Sequence, residues 1–197
     1  SNLFVTGCSA GSYGSIGWAP HVMKAYPDAH VAQMGDCGAG VITDTFLQES
    51  FSNWNAAEIM PAWIPELDPA KVKITDLAFS DLYIRIANFY GKRTVSQFNT
   101  YYDWNQTFYF EAMGGGDATK WSEKMNASIN TITAASPNFR HFTGPDFEHC
   151  ILHRKEFYTV AANGVKLVDW VRDMSQGKAV SNVMCKDCGQ PKPKKTK

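Results

Sequence analysis

The sequence predicts an α/β protein built on a mostly parallel sheet flanked by helices. Three observations carry that reading. A short β-prone run, Leu3-Phe4-Val5, enters a cluster of small residues, Gly7-Cys8-Ser9-Ala10-Gly11, and a helical segment follows. Three further β-prone runs, at 30–34, 93–99 and 138–142, each come after a segment that reads as helix. The chain has 197 residues, 44% of them hydrophobic, which is enough for one domain with a sizeable core.

Each element has a local reason. Residues 12–25 read as the first helix, with Pro20 and several glycines making its first half irregular. Tyr26-Pro27-Asp28-Ala29 is a turn, and the second strand ends in Gly35-Asp36-Cys37-Gly38. Together these make one β-α-β unit, the building block of a parallel sheet. Residues 41–70 scatter Phe46, Phe51, Trp54, Ile59, Trp63 and Ile64 among Pro61, Pro65 and Pro69. They read as short helices and loops outside the sheet, forming a cap over the site. Residues 76–90 are helical, with Leu77, Leu82, Ile86 and Phe89 on the apolar face. The third strand runs into Thr100-Tyr101-Tyr102-Asp103, and an irregular region containing Gly114-Gly115-Gly116 follows. An amphipathic helix spans 117–135, with Trp121, Met125, Ile129 and Ile132 near one face, and Pro137 ends it. Residues 138–142 are the last strand. A closing helix covers roughly 157–174, with Asn163-Gly164 as a point of interruption. The domain is expected over 1–188, and the Lys/Pro-rich tail 189–197 is expected to be disordered.

Composition excludes some classes. Nineteen basic and nineteen acidic residues cancel, which argues against an electrostatic nucleic-acid binder. No apolar run approaches the length of a membrane-spanning helix. Five cysteines are an odd number. Cys185 and Cys188 are expected to form a local disulfide, which implies an oxidising compartment, and Cys8 is expected to be buried in the first turn. Position 1 is not Met and the chain starts almost on the first strand, so it reads as the C-terminal part of a longer protein.

The chemistry starts at Ser9. G-x-S-x-G between a strand and a helix holds a serine on a sharp, strained turn. Small neighbours give the turn room, a role expected of Gly7 and Gly11. The helix that follows aims its first N–H groups at developing negative charge. Such a serine needs a base, and the base needs an orienting carboxylate. In the fold that uses this turn the partners come in the order Ser, Asp or Glu, His, each on a loop at the C-terminal end of a strand. Ser9, Asp103 and His149 supply that order. Asp36 is the competing acid, since it also ends a strand, though its setting equally suits an aspartate that bonds its own turn. His153 is the close rival to His149. His141 lies within a strand, and His21 and His30 fall at the wrong places.

At these residues the chain resembles the pectin acetylesterase/Notum family of serine hydrolases, and the bacterial members most. The resemblance runs from Phe4 to about Cys188. It rests on the stretch from Val5 through Ser12, Gly35-Asp36-Cys37-Gly38, the segment from Gln97 to Gln106, and Glu148-His149-Cys150. It implies an α/β-hydrolase-like fold, represented here from the nucleophile-elbow strand onward. It implies Ser9 as nucleophile, Asp103 as acid and His149 as base, and it demotes Asp36. It implies a secreted, periplasmic or cell-surface serine carboxylesterase that needs no metal or organic cofactor. The substrate would be an acylated carbohydrate or another ester, with an O-acetylated polysaccharide the first expectation; the animal branch of the family removes a long acyl chain from a protein. Ala10 would give one oxyanion contact, the other donor lying upstream. Trp54 and Trp104 are candidate substrate contacts. The alternative is a catalytically silent member that binds carbohydrate or protein.

Overall fold

The computed structural model describes residues 1–193. Four strands in chain order, β1 (Asn2–Cys8), β2 (His30–Asp36), β3 (Thr94–Thr100) and β4 (Phe139–Gly144), lie side by side and parallel. Register is set pair by pair: Cys8 lies opposite Asp36, and Asp36 opposite Phe98. The C-terminal ends of β1, β2 and β3 are therefore level, which brings the residues that follow each strand to one edge of the sheet.

Helices cover both faces. Along each strand alternate side chains point to opposite faces. Val31, Val95 and Phe139 join a core with Ile16 and Met23 of α1 (Ala10–Ala25), Ile86 of α3 (Phe79–Phe89) and Trp121, Met125, Ile129 and Ile132 of α5 (Ala118–Ala135). Ala32, Met34, Phe98 and Phe142 join a second core with Leu167, Trp170 and Met174 of α6 (Leu167–Ser175). Burial on both faces explains why β2 and β3 are buried along almost their whole length, as parallel strands usually are.

Four expectations change. Helix α1 runs unbroken through Pro20. The region after Asp103, expected to be irregular, opens with helix α4 (Trp104–Ala112). The closing helix is shorter than expected. A hairpin of β5 (Ala161–Ala162) and β6 (Val165–Lys166) precedes α6, and Asn163 and Gly164 form its turn with positive φ of 48° and 80°. That is the Asn-Gly signal for a two-residue hairpin, not an interruption within a helix. Finally β4 is not the last strand, because β7 (Val183–Met184) pairs with Phe142 and Thr143.

Residues 41–70 form helix α2 (Asp44–Asn53) and short 3₁₀ turns outside the sheet. Among the described residues no helix is long and apolar enough to cross a membrane. Residues 194–197 of the expected disordered tail lie outside the described residues.

Candidate active site

The turn after β1 is as sharp as the motif requires. Ser9 sits at φ 58° and ψ −119°, a region that non-glycine residues occupy only at a cost of about 1–3 kcal/mol. Its N–H donates to the Asp36 carbonyl at 2.9 Å, which holds the turn against the end of β2. Gly7 is essential to this geometry, since a Cβ there would stand 2.1 Å from the Gly11 carbonyl oxygen. Gly11 itself faces open space, so the expectation that both glycines make room holds for Gly7 alone. Ser12 of the next turn settles onto Gly35 and Gly38, where a Cβ would lie 2.3 Å from its Oγ and 2.4 Å from its Cβ. Ala10 is the first residue of α1, so its N–H belongs to the helical turn that lacks intrahelical acceptors.

Asp103 and His149 meet beyond the C-terminal ends of β3 and β4. Asp103 is fully buried and caps the N-terminus of α4, accepting from the N–H groups of Asn105 and Gln106 at 3.0 Å. The same carboxylate accepts from Gln106 Nε2 at 2.9 Å and faces His149 Nδ1 at 2.8 and 2.9 Å. The imidazole keeps only 11% of its side-chain surface exposed. Gln106 was not singled out by its sequence. It ties three segments together, donating also to Asn99 Oδ1 and accepting from the Ala39 N–H.

The loop carrying His149 is fixed from several sides. Tyr101, Tyr102 and Trp104 donate backbone N–H groups to Gly144, Asp146 and Phe147, so the β3 and β4 segments stay paired beyond the strands. Cys150 is bonded to Cys8, the residue before Ser9. Asp36 accepts from the N–H groups of Ile151 and Leu152 at 3.0–3.1 Å. Its carboxylate therefore anchors the His149 loop, which corrects the reading of Asp36 as an aspartate serving its own turn. Burial raises its pKa above the ordinary carboxylate value, against the lowering effect of those N–H groups. Among the described residues no hydrogen bond joins Ser9 Oγ to His149. Such contacts are often long before substrate binds.

His141, His21 and His30 serve the scaffold. His141 lies buried in β4, and burial lowers its pKa to about 4. His21 and His30 contact the carbonyls of Ile59 and Met174, and His153 is exposed.

Cys37 stands unexpectedly close. It follows β2 at φ 56°, is fully buried, and is the free cysteine among the described residues. Its Sγ, an Asp103 carboxylate oxygen and a His149 ring nitrogen lie within 4.8 Å of one another. Burial, and then the neighbouring Asp103 and Asp36 charges, push its thiol well above the ordinary range. The thiol is thus held protonated and is a poor nucleophile.

Ser9, Ala10 and Cys37 open into a cavity of about 530 Å³. Its walls are nearly all apolar, with Val41, Ile42, Phe46, Ile59, Met60 and Leu67 coming from the segment expected as a cap and its flanks. Trp54 is exposed and lines the cavity. Trp104 does not. Its ring stands T-shaped to that of His149 with centroids 6.3 Å apart, and Lys192 Nζ lies over the Trp104 ring at 4.4 Å. Tyr13 also lines the cavity, and burial pushes its pKa up to about 12.

The sheet order, the strained serine turn and the flanking helices together decide the fold class. The fold is α/β-hydrolase-like. Two crystal forms of the Wnt deacylase Notum from Drosophila share it, with TM-scores of 0.65 and 0.64 and 13% sequence identity. The match covers 94% of this chain and 56% and 57% of the Notum chains, so this chain spans little more than half of their length. No protein-family model matches the chain, and no curated protein sequence does. Two disulfides, Cys8–Cys150 and the expected Cys185–Cys188, are the kind of crosslink that persists in oxidising compartments.

Proposed function

We propose that this chain carries the reacting centre of a serine carboxylester hydrolase of the pectin acetylesterase/Notum kind, acting outside the cytoplasm. One observation carries the reading. A strained serine at a strand-to-helix turn stands one residue from a disulfide whose other end stands one residue from an Asp-bonded histidine.

The chemistry follows from that arrangement. Ser9 Oγ attacks the ester carbonyl while His149 Nε2 takes its proton. Asp103 holds Nδ1–H and stabilises the imidazolium that forms. The Ala10 N–H donates to the oxyanion. His149 then gives its proton to the leaving alcohol, and water releases the acid from Ser9. Cys37, fully buried and protonated, is not the nucleophile in this scheme.

The cavity beside Ser9 supports an acyl group longer than acetyl. Its lining would gain about 25 cal/mol per Å² of apolar surface removed from water, and an acetyl group has little to offer it. Removal of a long acyl chain is the preferred reading, and the Drosophila protein of the same fold is named a deacylase. Deacetylation of a polysaccharide is the second, favoured by exposed Trp54 and Tyr109 beside the cavity as surfaces for sugar rings.

Labelling with a fluorophosphonate, followed by mass spectrometry, tests the reaction. The adduct is expected on Ser9 and is expected to vanish in His149→Ala. A folded protein that takes no label would mark a silent member that only binds its ligand. A series of p-nitrophenyl esters then decides acyl length, with kcat/KM rising from acetyl to longer chains under the preferred reading and falling under the second.

A further inference from the structure

We propose that Cys37, Asp103 and His149 form a site for a divalent transition metal, Zn²⁺ first among them, and that filling it switches off the serine chemistry. The second half of this statement rests on the function proposed above; the first does not.

The donor set comes from three separate parts of the chain. Cys37 follows β2, Asp103 caps α4 and His149 lies on the loop after β4. A thiol, an imidazole and a carboxylate are the ligand types that zinc takes, and three protein ligands leave a fourth position for water. Their ligand atoms already lie within 4.8 Å of one another. Ligands of a tetrahedral zinc ion stand about 3.5 Å apart, so the thiol closes by roughly an ångström and the His–Asp pair opens by somewhat less. Cys37 also lines the cavity, which gives an ion a route from solvent. The acyl-transfer scheme leaves Cys37 without a task, and a hydrocarbon side chain would fill a dry wall without bringing a soft ligand to the dyad.

The switch is a matter of proton positions. The metal takes the Cys37 sulfur as thiolate, and one proton leaves to solvent. It takes the Nδ1 lone pair of His149, whose ring proton then resides on Nε2. An Asp103 oxygen turns from Nδ1–H to the metal. No oxidation state changes. With Nε2 protonated and Nδ1 metallated, the ring has no lone pair left to accept the Ser9 proton.

Co²⁺ titration of the full chain with both disulfides intact tests the site, since cobalt reports thiolate ligation by a charge-transfer band. One equivalent is expected to bind with that band, and Zn²⁺ is expected to remove it. Cys37→Ser and His149→Ala are each expected to lose the band, with circular dichroism confirming the fold. His149 is partly exposed, so its variant keeps the test valid if Cys37→Ser does not fold. Folded wild-type protein without the band, or a band that survives both substitutions, overturns the site. In parallel, Zn²⁺ is expected to slow fluorophosphonate labelling of Ser9 at least tenfold, with recovery on adding a chelator. Labelling that proceeds unchanged on metal-loaded protein overturns the switch. A cobalt band on protein that takes no label at all leaves the metal site standing and removes the hydrolase reading instead.

Discussion

Cys8 and Cys150 are joined across 142 residues, and their chain neighbours on the site side are Ser9 and His149. The crosslink ties the turn that presents one reactive group to the loop that presents the other. Asp36 reinforces it by accepting from Ile151 and Leu152 while its carbonyl accepts from the Ser9 N–H. One sheet end, one disulfide and one buried carboxylate thus fix both segments.

Removing the bridge in Cys8→Ser/Cys150→Ser is expected to lower unfolding free energy by about 2–5 kcal/mol, because a long loop regains its freedom in the unfolded chain. Urea melts check this. Fluorophosphonate labelling of the protein still folded is expected to fall as well, since the serine and histidine segments lose their tie. Wild-type labelling rates in that protein would show that hydrogen bonds alone position the pair.

Asp103 has two jobs that substitutions separate. Asparagine still caps a helix, so Asp103→Asn is expected to keep most of the stability of α4 while ester hydrolysis falls about 10⁴-fold, the imidazole losing its orienting anion. Asp103→Ala loses the cap too, at roughly 1 kcal/mol or more. Steady-state hydrolysis and thermal melts on both variants make the comparison. Equal activity in wild type and Asp103→Asn would take the residue out of the acid role.

The two elbow glycines are expected to respond oppositely. Gly7→Ala drives a Cβ into the Gly11 carbonyl oxygen and must displace backbone, at a cost of about 2 kcal/mol or more. Gly11→Ala meets nothing, lies within α1, and is expected to stabilise by up to about 1 kcal/mol. Chemical denaturation of the two variants settles the order.

His141 sets an acid limit on the fold. Its pKa is about 4 in the folded protein against 6.5 for the free side chain, so the unfolded chain binds the extra proton between those values. Stability from this residue is full above pH 6.5 and declines as the pH falls from 6.5 to 4, by roughly a few kcal/mol in all. His141→Gln is expected to flatten that part of the stability profile. An unchanged slope would mean that carboxylates account for the acid loss.

Legibility in the sequence followed signal length. The strands around Val31, Val95 and Phe139 are short β-prone runs that each follow a helical segment, and α5 shows clean helical spacing, so these elements and their order were readable. Ser9, Asp103 and His149 became candidates through the same order, because each comes after a recognisable strand. Helix α4 was not readable, since Phe108 and Tyr109 point to solvent and only Thr107 and Phe110 are buried. Strand β7 has two residues, too few for any periodicity. The partner of Cys8 was unreadable for another reason. Spacing gave the local Cys185–Cys188 pair but carries no information on which distant cysteines meet in space, and the closeness of Cys37 to His149 appears only in the folded chain.

The bridge also carries a problem of assembly. As the chain is made from its N-terminus, the first thiol to follow Cys8 is Cys37, and the native partner comes long after it. In the finished sheet β1 and β2 are neighbours and both cysteines stand at their C-terminal ends, so only residue 150 is missing from that corner while the chain is still short. An oxidant that acts on the emerging chain therefore meets the wrong couple first. Recovery of the native pairing from a Cys8–Cys37 bridge would need thiol exchange with Cys37 as the leaving sulfur, so correct bridging is expected to respond to isomerase as well as to oxidant.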